Sequence, residues 1–165
     1  VFVDSTALIH AANSDELLNL LIDLHSKGCL FFSIPSVVYE YARTANTPAK
    51  YKERLAFIKG LDIAVLNRVE EILVKEEVFH VAYNMAFSGK SSPSYADSLI
   101  CAMAYKYHKS KPYILTANHS DIPPSMFDRK ELITIDIKGG LQNEALYQFS
   151  ETKFSSILTK LEKQE

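Results

Sequence analysis

Two cysteines among 165 residues, Cys29 and Cys101, cannot build a disulfide framework, and neither belongs to a C-x-x-C pair. A structural zinc centre and a disulfide-stapled secreted scaffold are thereby disfavoured, and both thiols read as the reduced cysteines of a cytoplasmic protein. Glycine and proline number only five and six, which argues against a long disordered or collagen-like region. No apolar run approaches the ~20 residues that a membrane-spanning helix needs. The longest apolar patches, 1–3 and 30–32, are strand-sized, so no membrane partner is expected. Neither sign of charge dominates: 18 basic and 20 acidic residues leave −2, and composition alone carries no nucleic-acid footprint. The sequence begins at Val1 without methionine, directly in a strand-like run. Its start reads as trimmed, or as a cut within a longer chain, and no signal peptide or lipidation motif is visible in what is present.

What remains is one ordinary globular domain, 47% hydrophobic and 23% charged, long enough to bury a real core. Short apolar runs at 1–3, 29–34, 63–66, 113–116 and 132–135 read as five strands. Between them lie helical patterns: one begins after Ser5-Thr6 and another after Ser14, closed by Gly28. A third follows Pro35, and a basic one runs from Pro48 to Gly60. A long one spans 70–87, and another runs from Tyr95 to about His108. The clearest loop is 89–94, and Gly139-Gly140 is a turn. Strands alternating with helices imply an α/β fold with a parallel sheet of about five strands covered on both faces. The expected organisation is a domain over 1–140 and a helical extension over 141–165, packed on the domain or on a partner subunit. Phe149, Phe154, Ile157, Leu158 and Leu161 are its candidates for burial.

In an open parallel sheet, ligand sites form at the carboxyl ends of the strands, where strand order reverses. Asp4 terminates the first strand. Glu40 lies about a turn into the helix after the second. Asp97 is in the first turn of the helix after the 89–94 loop, and Asp121 follows the fourth strand. The topology sends all four to one edge. Each acid alone has a plain reading, as a helix-dipole partner or a solvated helix residue; joint placement is what carries the argument. Four carboxylates in one pocket repel one another unless a cation joins them. Hard oxygen ligands suit Mg²⁺ or Mn²⁺, whose shells are completed by water and substrate phosphates. Phosphodiester or phosphoryl chemistry follows, with metal-assisted hydrolysis as its form.

These residues resemble the PIN-domain nucleases. VFVDSTALIHA resembles their opening motif, VVYEYAR the second, YADSLICAMAYKY the third and ILTANHSDI the fourth. No single block is specific; the four in family order, across 1–136, carry the resemblance. It implies a three-layer α/β/α domain and Mg²⁺- or Mn²⁺-dependent cleavage of RNA, commonly by the toxin of a VapBC-type toxin–antitoxin pair. By position, Asp4, Glu40 and Asp97 correspond to the metal-binding core, with Ser5 or Thr6 and Thr116 as supporting hydroxyls. Many members have Asp where this chain has Asn118, leaving either Asp121 to supply the charge or the site one ligand short. Ile122 stands where Phe is usual, and the tail from Gly140 lies outside the resemblance.

Arg43, three residues past Glu40 on nearly the same helix face, is a candidate to pair with a carboxylate or hold a phosphate. Lys50, Lys52, Arg54 and Lys59 beside Tyr51, and Lys106, Lys109 and Lys111, could track an RNA backbone or simply form solvated faces. His10 and His119 fall inside motif segments without a partner histidine at ligand spacing, so a structural role is expected. Asp136 reads as capping the sheet edge, and Asp15, Asp62 and Asp128 as turn or cap residues. A homodimer is expected through Lys50–Lys59 and the helix after Val69. That stretch carries Tyr51, Leu55, Phe57 and Ile58, more apolar side chain than one buried face needs. Two other readings stay open. A haloacid-dehalogenase-type phosphatase also starts from a strand-terminal Asp, but it wants a second Asp two residues on, where Thr6 stands, and no Asp-Asp occurs later. A non-catalytic PIN-fold module binding RNA or protein draws on Asn118.

Overall fold

A computed structural model describes residues 1–66, 74–88 and 93–161. Two short strands, β1 (Phe2–Val3) and β2 (Phe32–Ser33), lie beside β3 (Ala64–Val65) and β4 (Tyr113–Thr116). They are followed by two long ones, β5 (Phe127–Ile137) and β6 (Gly140–Phe149). The sheet order is β3-β2-β1-β4-β6-β5. The first four strands run parallel, with Phe2 opposite both Phe32 and Ile114. β6 then pairs antiparallel with β4 and with β5. The result is an α/β fold compatible with three layers, its sheet mixed where a parallel one was expected.

The helices among the described residues are α1 (Ser5–Ala11), α2 (Asp15–Ser26), α3 (Pro35–Arg43), α4 (Pro48–Gly60), α5 (Lys75–Phe87), α6 (Tyr95–Lys106) and α7 (Glu151–Leu161). Their starts follow local chemistry. Ser14 and Thr47 accept the backbone N–H groups of Leu17 and Lys50, and Pro35 and Pro48 occupy first-turn positions where a missing N–H costs nothing. Ala96 through Ala104 are all buried. A helix apolar all round must lie inside, and α6 does, packed between α5, α3 and the sheet.

The main departure from expectation is 141–149, which is strand β6 rather than helix. Ile137 pairs with Gly140, so Lys138-Gly139 is a two-residue hairpin turn. Gly139 and Gly140 have φ of 130° and 119°, values that favour glycine. The sheet therefore extends past residue 140, and the expected boundary there divides a hairpin. The helical expectation survives for α7, where Phe154 is buried. The side chains of Ile157, Leu158 and Leu161, the start of the expected 70–87 helix, and loop residues 89–92 lie outside the described residues.

No helix among the described residues is long and apolar enough to cross a membrane. β1 is the pivot of the topology. β2 and β3 extend from one side of it and β4 from the other, so the switch in strand order falls between β1 and β4.

Candidate active site

Asp4 leaves the carboxyl end of β1, and its backbone N–H is held by the Leu115 carbonyl at 3.1 Å. Its side chain is 1% exposed. Both Thr6 Oγ1 and Thr116 Oγ1 donate to Asp4 Oδ2, each at 2.8 Å. The two hydroxyls lie 3.2 Å apart, and Thr6 Oγ1 also accepts the Ala117 N–H. Asp4 Oδ1 is sealed from solvent and has no hydrogen-bond partner among the described residues. A buried carboxylate oxygen left bare costs free energy that a cation or donor would recover.

Asp97 arrives from α6. Ser94 caps that helix, accepting the Asp97 N–H and donating through Oγ to Asp97 Oδ2 at 2.6 Å. Ser94 Oγ thus engages both the backbone and the carboxylate of Asp97. Burial pushes the Asp97 carboxyl up from 3.8 to about 7. The Ser94 hydrogen bond pulls the other way, while Asp4 and a hydrogen-bonding Asp121 push it further up. Asp121 is itself placed by Asn118 Nδ2 at 2.6 Å and Ser120 Oγ at 3.1 Å. Asn118 is thus an amide arm that holds the fourth acid.

Asp4 and Asp121 therefore both act on Asp97 at the strand-switch edge. Glu40 reaches this region through Ser5, whose Oγ donates to Glu40 Oε2 at 3.1 Å. Ser5 and Thr6 thus serve two different carboxylates. Arg43 is exposed, and among the described residues it has no hydrogen-bond or ionic partner. No three His, Cys, Asp or Glu side chains among the described residues are grouped as ligands of one ion. The residues present nevertheless fit a hard cation of the Mg²⁺ type. Such an ion takes one or two protein carboxylates and fills its shell with water; Asp4 Oδ1 is a bare buried oxygen, and burial, Asp4 and Asp121 raise the Asp97 carboxyl to about 7.

The other candidates separate. His119 is spent on structure, Nδ1 on Tyr147 Oη at 3.0 Å and Nε2 on the Asn143 carbonyl at 3.1 Å. Arg54 binds the Tyr41 carbonyl and Thr44 Oγ1 and lies over the Tyr41 ring. It fastens α4 to the end of α3, whereas Lys50, Lys52 and Lys59 are exposed. Lys106 pairs with Glu77 at 3.2 Å, and Lys109 and Lys111 are exposed. Asp136 is exposed on the hairpin. Asp128 is a strand residue bridging Lys153 at 2.8 Å and Lys130 at 3.2 Å, where a turn or cap was expected.

Sequence reasoning missed Glu144. It lies on β6 beside Ala145, the partner of Thr116, at 0% exposure, with Oε1 2.6 Å from His10 Nδ1 and Oε2 without a hydrogen-bond partner among the described residues. Its carboxyl is raised to about 8 by burial and by Asp4. The strand alternation of Ala145, Tyr147 and Phe149 was the available signal; the helical expectation for 141–165 hid it.

A cavity of about 800 Å³ lies elsewhere, lined by Phe2, Leu30, Phe32, Val65, Met103 and Tyr113. No protein-family model matches this chain, and no curated protein matches it.

Proposed function

We propose that the protein is a divalent-cation-dependent endoribonuclease, hydrolysing phosphodiester bonds of single-stranded RNA at the Asp4–Asp97 edge. The carrying observation is Asp4. Its Oδ2 is fixed by two threonines, its buried Oδ1 has no partner among the described residues, and its charge acts on Asp97, as does that of Asp121. Four motif blocks resembling PIN-domain nucleases support the same reading.

In this proposal Asp4 and Asp97 hold Mg²⁺ or Mn²⁺, with Asp121 and Glu40 beside them. When bound, the ion supplies activation of water and neutralisation of charge on the phosphodiester. The chain's own contribution is preorganisation. Thr6 and Thr116 orient Asp4 so that one oxygen is left free. Ser94 holds one carboxylate oxygen of Asp97, Ser5 steers Glu40, and Asn118 holds the Asp121 carboxylate. Thr6, two residues beyond Asp4 where the phosphatase alternative requires an acid, instead donates to Asp4 Oδ2.

Exposed Lys50, Lys52 and Lys59 on α4 are proposed to track the RNA backbone. Tyr51 and Leu55 are exposed on the same helix at 48% and 38%. We assign them to a homodimer contact; its other expected part, after Val69, lies partly outside the described residues. An antitoxin and a cytoplasmic setting belong to the same proposal.

The test is cleavage of a labelled single-stranded RNA by the purified chain with Mg²⁺ or Mn²⁺. Activity should vanish with chelator and fall about 10²-fold or more in Asp97→Asn. RNA binding without any cation-dependent cleavage would favour the non-catalytic module instead.

A further inference from the structure

The pair formed by His10 and Glu144 is not explained by the carboxylate edge. Glu144 is wholly buried, so an ionised side chain there is costly, and Asp4 nearby adds repulsion. His10 comes from α1, one turn beyond Thr6 on the same helix face. Its Cα stands about 6 Å along the axis from that of Thr6, whose hydroxyl bonds Asp4. The imidazole keeps 16% of its side-chain surface open. Nδ1 is committed to Glu144 at 2.6 Å, and among the described residues Nε2 has no partner.

The proton count decides what Nε2 presents. Burial drives both members toward their uncharged forms, raising Glu144 and lowering His10. The pair then carries no net charge, with one proton along the 2.6 Å contact. If that proton rests on Glu144, neutral His10 has its remaining proton on Nε2. If it rests on Nδ1, the imidazolium also has a proton on Nε2. Either way the open nitrogen is a donor, and the donor adds no net charge to the neighbourhood of Asp4, Asp97 and Asp121. A carboxylate-lined edge offers acceptors. A phosphodiester backbone also offers only acceptors there, so a donor at this edge is what such a strand lacks.

We propose that His10 is a substrate-binding residue whose Nε2–H donates to a phosphate oxygen of a single-stranded RNA lying along the carboxylate edge. Buried Glu144 is the positioning residue that fixes the ring. This inference rests on the RNA substrate proposed above but not on cleavage.

The experiment is equilibrium binding of a fluorescein-labelled single-stranded oligoribonucleotide to the full chain, read by anisotropy in Ca²⁺ at low salt. His10→Asn keeps an amide where Nδ1 bonds Glu144 and removes the outward donor. His10→Gln places an amide donor near the Nε2 position. Affinity should fall about 10-fold or more in His10→Asn and stay within about 3-fold of wild type in His10→Gln, with melting of His10→Asn unchanged. Wild-type affinity in His10→Asn overturns the proposal, because a purely structural pair gives that result. Should His10→Asn fail to fold, His10→Gln decides: near wild-type affinity supports the donor role, and a 10-fold loss overturns it. A wild-type chain that does not bind the RNA defeats this inference and the nuclease reading together. A chain that binds through His10 but never cleaves defeats the nuclease reading alone.

Discussion

Replacing Asp97 with Asn should stabilise the protein, and the gain should depend on pH in a defined direction. Asp97 is 6% exposed and its carboxyl is held at about 7, against 3.8 for an unperturbed group. Between those values the folded state binds a proton that the unfolded chain does not, so wild-type stability falls as pH rises through this window. Above about pH 7 both states are ionised and the penalty is constant; below about pH 4 neither is, and it vanishes. About three pH units at 1.36 kcal/mol each set a ceiling of roughly 4 kcal/mol. Relaxation and entry of water into the pocket reduce this, and a gain of about 1–2 kcal/mol for Asp97→Asn at pH 8 is the expected outcome. The amide oxygen still accepts from Ser94 Oγ, so the helix cap is kept. Urea unfolding of both proteins in chelator at pH 4.5, 6 and 8 measures it. The gain should grow from about a quarter of its full value at pH 4.5 to all of it at pH 8. A destabilised Asp97→Asn at pH 8, or a gain independent of pH, would refute the electrostatic account of the pocket.

Other outcomes follow from single contacts. Thr116→Val removes a buried donor to Asp4 Oδ2 and the acceptor of the Asn118 N–H; about 1–3 kcal/mol of stability should be lost in chelator by urea unfolding. Arg54→Ala should cost about 1 kcal/mol in the same measurement through loss of its contacts to α3, while RNA affinity stays unchanged. Lys50→Ala should do the reverse, weakening RNA binding with a shallower salt dependence and leaving stability unaltered. Cys101 is fully buried, and its thiol is raised well above the usual range by burial and by Asp97, Asp4 and Asp121. A thiol reagent should therefore modify Cys29 in the native protein and reach Cys101 only on unfolding, as peptide mapping would read out.

Much of the site was legible because strand ends in a parallel sheet are fixed by topology. Asp4 closes an apolar run, Asp121 follows another, and Asp97 sits in the first turn of the helix after the 89–94 loop, so three acids can be sent to one edge from order alone. The hydroxyl pair Ser5-Thr6 was visible too, but not that each would serve a different carboxylate, since that depends on how α1 leans against α3 and β4. The hairpin was misread for a physical reason. Residues 141–149 carry apolar side chains at spacings that suit a helix as well as a strand, and only pairing with β4 and β5 decides between them. That error concealed Glu144, whose burial arises from long-range pairing and leaves no trace in local composition. Arg54 was misassigned in the same way: a cation in a basic run looks free until the neighbouring helix end claims it.

The central claim, that the Asp4–Asp97 edge holds a hard divalent cation, is tested most directly by calorimetric titration of Mn²⁺ into the metal-free protein at pH 7.5. A saturable site is expected in the wild type, with melting temperature rising as Mn²⁺ is added. The site should be lost or weakened at least about 10-fold in both Asp4→Asn and Asp97→Asn, and kept in Arg43→Ala. Absence of a saturable site in the wild type, or undiminished binding in both carboxylate variants, would contradict the account.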